Sequence, residues 1–144
     1  MADTQINDIP GGGGMATVMT VPIVAMASNG SDTAYQHICK VSRAGSLAAA
    51  YITLSASLAS NTGYRNFQIV NNGSLGVATT IMASTSRLGS LSIAANIPVS
   101  IPLSSTAANY TFVAGDSIAF NTTSTGDGEA TIAADTGMLQ IQFA

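Results

Sequence analysis

From Met15 onward, apolar residues recur at every second position in short bursts, and most bursts end on a turn signal. The period of two is that of a strand, whose successive side chains point to opposite faces. It is clearest in Phe67-Gln68-Ile69-Val70, in Ile97–Leu103 and in Met138–Phe143. In the last, Leu139, Ile141 and Phe143 share one face while Gln140 and Gln142 share the other. The pattern predicts strands at Ala16–Ala27, Tyr35–Ser42, Ala50–Ser57, Arg65–Val70, Val77–Ser84, Ser90–Ala94, Ile97–Leu103, Tyr110–Val113, Ser117–Thr122, Ala130–Ala133 and Met138–Phe143. Between them stand Asn29-Gly30, Gly45, Asn61-Thr62-Gly63, Asn72-Gly73, Gly89, Asn96, Gly115-Asp116, Gly126-Asp127-Gly128 and Gly137. Asn-Gly pairs supply the positive φ angles of tight turns. Turn signals about every 8–12 residues point to an all-β, antiparallel sandwich.

Two stretches need separate treatment. Pro98 and Pro102 alternate with Val99, Ile101 and Leu103, and neither proline can donate to a ladder. That segment belongs at a sheet edge or at a bend between sheets. Leu47, Tyr51, Leu54 and Leu58 also fit helical spacing in an Ala-rich context that Ser46 would cap. The β-branched Ile52 and Thr53, the serines at 55 and 57 and the all-β surroundings favour a strand.

Residues 1–14 read as a separate piece, a flexible N-terminal arm ahead of a sandwich domain spanning 15–144. Met1–Pro10 is polar apart from isolated apolar residues, and Gly11–Gly14 is a hinge that loses much entropy on ordering. Ile6 and Ile9, followed by Pro10, are the candidate partner contacts of such an arm.

Composition shifts attention from chemistry to assembly. Only 8% of the chain is charged, against roughly 25% in ordinary soluble domains. A surface of Ser, Thr, Asn, Gly and Ala, with so little charge, suits a protein covered by copies of itself or by a partner. Net charge is −3, and the basic residues are Lys40, Arg43, Arg65 and Arg87. Nucleic-acid binding needs a basic stripe to displace counterions, so that partner is not expected. Neither Ala16–Ser28, broken by Pro22, nor the serine-dotted Ala44–Ser60 has the ~20 apolar residues of a membrane helix. Met1–Gln5 carries an acid where a secretion signal carries basic residues, so synthesis in a cytoplasm is expected. The four Asn-x-Ser/Thr triplets, at Asn29, Asn72, Asn109 and Asn121, are then read as unglycosylated.

Candidate chemistry is thin. His37 and Cys39, two apart on a strand, would share a face and form an imaginable nucleophile pair. Such pairs need a third orienting group, and only Asp32 is near, so ordinary packing is the expectation. One Cys and one His do not complete a structural zinc site. The sole histidine must serve any serine triad, and no Gly-x-Ser-x-Gly elbow is present. Asp116, Asp127, Glu129 and Asp135 lie in or near glycine turns, where acids are common; Asp127-Gly128-Glu129 with Asp135 is at most a weak calcium candidate. No enzyme activity, metal or cofactor is expected.

One resemblance sharpens this picture. Phe67–Gly76, the strand Val77–Ser84, the alternating Ile97–Leu103, Tyr110–Phe120 and the closing strand Met138–Phe143 follow a recognisable order. The run Phe112-Val113-Ala114-Gly115-Asp116-Ser117-Ile118 leads from an aromatic through a tight turn into a late strand. Over roughly residues 50–143 the chain resembles the jelly-roll head-decoration (cement) proteins of tailed bacteriophages, and more distantly the trimeric tumour-necrosis-factor-like jelly rolls. The low charge and the Gly-linked arm depart from that pattern.

The resemblance implies a jelly-roll β-sandwich with Phe112, Ala114, Gly115 and Asp116 as its family-like turn. It implies a non-enzymatic structural virion protein, a homotrimer on the outer capsid surface whose partner is the major capsid protein. The alternative is a receptor-binding jelly-roll module of a tail fibre or spike that recognises a bacterial surface glycan. Sugar sites stack aromatic rings, and this chain has no Trp, four Tyr and four Phe.

Overall fold

The computed structural model describes residues 17–23, 33–58, 64–85, 92–125 and 137–144. Among them the strands in chain order are β1 (Thr17–Pro22), β2 (Thr33–Lys40), β3 (Gly45–Leu54), β4 (Tyr64–Asn71), β5 (Thr80–Ser84), β6 (Val99–Ser100), β7 (Thr111–Phe112), β8 (Ser117–Thr125) and β9 (Gly137–Phe143). One sheet has the order β1-β9-β3-β6, with β7 added to β3, and the other has β2-β8-β4-β5. All the described pairings are antiparallel. Among the described strands the chain alternates between sheets at nearly every connection, and only β4–β5 is a hairpin within one sheet. This order, two interleaved Greek keys in a double sheet, is the jelly roll. The fold class expected from alternation and resemblance is the one observed.

The core follows from the period of two. Leu47, Ala50, Ile52, Leu54, Leu139, Ile141 and Phe143 of the first sheet face Phe67, Ile69, Met82, Ile118 and Phe120 of the second in one buried cluster. Phe67 and Phe120 stack with centroids 6.0 Å apart and planes 7° from parallel. Along β9, Gly137, Leu139, Ile141 and Phe143 are buried while Met138 and Gln140 are exposed, as the alternation predicts.

The two-proline segment is both an edge and a bend. β6 borders the first sheet, with Val99 opposite Ile52 and Ser100 opposite Tyr51. Three residues past Ser100, Leu103 bridges Ala83 of β5 in the second sheet, and Ser84 N donates to Pro102 O at 2.9 Å. The segment therefore joins the sheets along that side. On the opposite side Gln36 of β2 donates through Nε2 to the carbonyl of Pro22, the last residue of β1, at 2.8 Å.

Several boundaries differ from expectation. Residues 45–54 form a strand, as favoured over the helix, but it starts five residues earlier than predicted and ends at Leu54. Gly45 is its first residue rather than a breaker, because a side chain there would meet the Ala144 carbonyl at 2.8 Å and the Phe112 ring at 3.0 Å. Gly137 likewise begins β9, where a Cβ would lie 2.8 Å from Leu54 Cδ2 and 2.9 Å from Ile23 Cδ1. Val77–Thr79 belong to a loop rather than to β5, and Tyr110 ends a single 3-10 turn, Ala107–Tyr110. Ile93 makes only an isolated bridge to Leu58. Asn96 does mark a turn, in the left-handed region at φ 60°. The arm, with Ile6, Ile9, Pro10 and Gly11–Gly14, the expected strand Ala130–Ala133 and the acids Asp127, Glu129 and Asp135 lie outside the described residues.

Candidate functional site

At one end of the sandwich three loops meet: Val41–Ala44 between β2 and β3, Asn72–Thr79 between β4 and β5, and Val113–Asp116 between β7 and β8. Their backbones are stitched together. Val41 N donates to Asp116 O at 2.9 Å and Gly115 N to Val41 O at 2.7 Å. Ser117 N donates to Gly73 O at 3.1 Å and Asn72 N to Ser117 O at 2.9 Å.

Beneath these contacts lies a buried polar latch. Asn71 Nδ2 donates to Asp116 Oδ2 at 2.8 Å, and the same carboxylate oxygen accepts Val113 N at 3.0 Å. The other atom of the Asn71 amide, Oδ1, accepts Gly73 N at 2.8 Å. Asp116, Asn71 and Asn72 are all buried. A buried carboxylate is costly unless its lone pairs are occupied, and here it is held by two donors from separate parts of the chain. Gly115 takes φ +93°, which an L side chain rarely adopts, and Gly73 takes φ +68°.

The four residues of the sequence-predicted turn are thus brought together, as a structural joint. Phe112 is buried and meets Phe143 edge to face, 5.4 Å between centroids at 89°. Gly115 makes the reversal, Asp116 ties it down, and Ala114 is exposed at the tip.

What the latch presents is apolar. Leu75 is 84% exposed, Val77 82% and Val113 61%, all on the two loops it ties together. Sequence reasoning missed them, because Val77 reads as the start of a strand and Val113 as the end of one. The available signal was Leu75-Gly76-Val77 directly after Asn72-Gly73, apolar residues set among turn formers. Lys40 and Arg43 are exposed in and beside the neighbouring loop, and Asp116 is the one acid among the described residues. The described surface at this end is therefore apolar with a basic border.

His37 and Cys39 do not form a site. The β2–β8 register shifts between them, so His37 pairs with Ala119 and Cys39 with the adjacent Ile118. This bulge turns Cys39 onto the core, where Ile38 also packs, and leaves His37 exposed on the outer face. The shared face expected from simple alternation is corrected accordingly. Burial pushes the Cys39 thiol up to about 11, the opposite of what a nucleophile needs. No group of three or more His, Cys, Asp or Glu residues that could hold a metal ion occurs among the described residues. No family model, no curated protein and no solved structure matches this chain.

Proposed function

We propose that this chain is a structural virion protein, a decoration or cement subunit that binds the outer surface of a phage head, contacts the major capsid protein and stabilises the lattice. The observation that carries the reading is the latched apex, where Leu75, Val77 and Val113 stand in solvent on loops fixed by Asn71 and Asp116. Exposed apolar side chains on mobile loops lose much of their binding energy to ordering; on loops already fixed, less is lost. Burying each would contribute about 1.5–3 kcal/mol. A basic border of Lys40 and Arg43 suits an acidic rim on the partner.

The scarcity of charge supports assembly in many copies, which we take to be homotrimers. A subunit held by several modest contacts gains from multivalency, since each later contact is intramolecular once the first has formed. The test is co-sedimentation of the purified chain with undecorated heads. Saturable binding at lattice stoichiometry supports the reading, and no binding to intact heads refutes it.

A further inference from the structure

The outward face of the first sheet carries a grid of side chains fixed by strand register. Val18, Gln142 and Ala49 form one row; Thr20, Gln140, Tyr51 and Ser100 form the next; Pro22, Met138 and Thr53 form the third. None of these is charged, and none of β1, β3, β6, β7 or β9 contains Asp, Glu, Lys, Arg or His. The second sheet differs, with His37 and Lys40 exposed on β2. Val18 is 45% exposed and Met138 42%, while Thr20, Pro22, Gln140 and Ser100 are also exposed.

We infer that this face is where copies of the chain meet one another. Two features select a second copy over a different partner. Molecules of net charge −3 repel, and among the described residues this sheet face carries no charge to bring against its like. The hydroxyls of Thr, Ser and Tyr and the amides of Gln each hold both a donor and an acceptor. A face built from such groups satisfies its own copy, which a face of lysines or carboxylates does not. Val18, Met138 and Tyr51 supply the apolar area between them.

Size sets the strength. Strands about 4.8 Å apart and rows about 6.8 Å apart give a projected patch of roughly 400 Å². That is about half the ~800 Å² each partner contributes to a standard interface. An interface this small belongs with the weak, reversible class, and it is completed by the high local concentration on a lattice.

This inference deepens the assembly reading but is tested without heads. Sedimentation equilibrium of the full chain from about 1 to 500 µM covers weak association of this kind. Wild type is expected to associate as concentration rises. Gln140→Arg, at the middle of the grid, is expected to remain monomeric with an unchanged melting curve, and Thr20→Lys is the second variant should the first not fold. Tyr35→Arg, which puts the same charge on β2 of the other sheet, is expected to associate like wild type. A monomer throughout, or association undisturbed by both grid variants, overturns the inference. A dimer abolished by Gln140→Arg supports the face and overturns the threefold count proposed above. Loss of head binding alone, with association intact, refutes the decoration reading and leaves this one standing.

Discussion

Asn71 and Asp116 are 45 residues apart in the chain, yet the amide of one donates to the carboxylate of the other at 2.8 Å in a buried setting. Their contact joins the end of β4 to the start of β8 and fixes the loops that display Leu75, Val77 and Val113. Asp116→Ala orphans Asn71 Nδ2 and Val113 N at once. The expected cost is about 2–3 kcal/mol in urea-unfolding equilibria, since a buried side-chain amide and a partly buried backbone N–H both lose their acceptor. Asp116→Asn keeps an acceptor and should cost less. Equal, negligible effects from both would mean the latch contributes nothing to stability.

Gly115→Ala tests the backbone of the same joint. At φ +93° the cost comes from conformation, because a Cβ would meet Ser74 Cβ at an ordinary 3.9 Å. The expected loss is about 1–3 kcal/mol. Gly137→Ala should be comparably harmful for a different reason, steric collision with Leu54 and Ile23. Thermal melts of the two variants check both costs, and a neutral Gly115→Ala contradicts the strain assigned here.

Cys39 gives the chain a pH dependence of known sign. Its folded thiol titrates at about 11 and its unfolded thiol near 9.0, so between those values the unfolded state loses the proton first. Fewer protons on the unfolded state mean that stability falls as pH rises. The contribution is flat below pH 9.0 and is lost between there and about pH 11. Subtracting the pH–stability curve of Cys39→Ala from wild type isolates the effect. A native thiol that reacts with a disulfide reagent as fast as the unfolded chain does at pH 8 would contradict it.

The apex side chains are separable from the fold. Val113→Asp and Leu75→Asp change exposed positions, so melting should shift by no more than about 0.5 kcal/mol. Attachment to undecorated heads should weaken about ten- to a hundredfold for each, the equivalent of losing about 1.5–3 kcal/mol of apolar burial. Unchanged attachment by the double variant would move the contact elsewhere.

Much of the fold was legible because the period of two is local. Leu139, Ile141 and Phe143 declared their face from sequence alone, and Pro98 and Pro102 announced the bend that β6 makes between sheets. The helical spacing of Leu47, Tyr51, Leu54 and Leu58 did not prevail, since three strands pair along residues 45–54. The bulge after His37 was not legible, because an inserted residue leaves no mark in a short alternating run. Nor was the apex. Asp116 looked like an ordinary turn acid, and its partner Asn71 lies in a strand on the far side of a long sequence gap. Long-range pairing set the site, and no local pattern reports it.

The most direct measurement is the copy number of this chain in purified virions, read from a quantitatively stained gel against the major capsid protein. A cement subunit repeats with the lattice, so hundreds of copies per particle, in fixed ratio to the capsid protein, are expected. A handful of copies, as a fibre or spike tip would give, or none at all, would contradict the account.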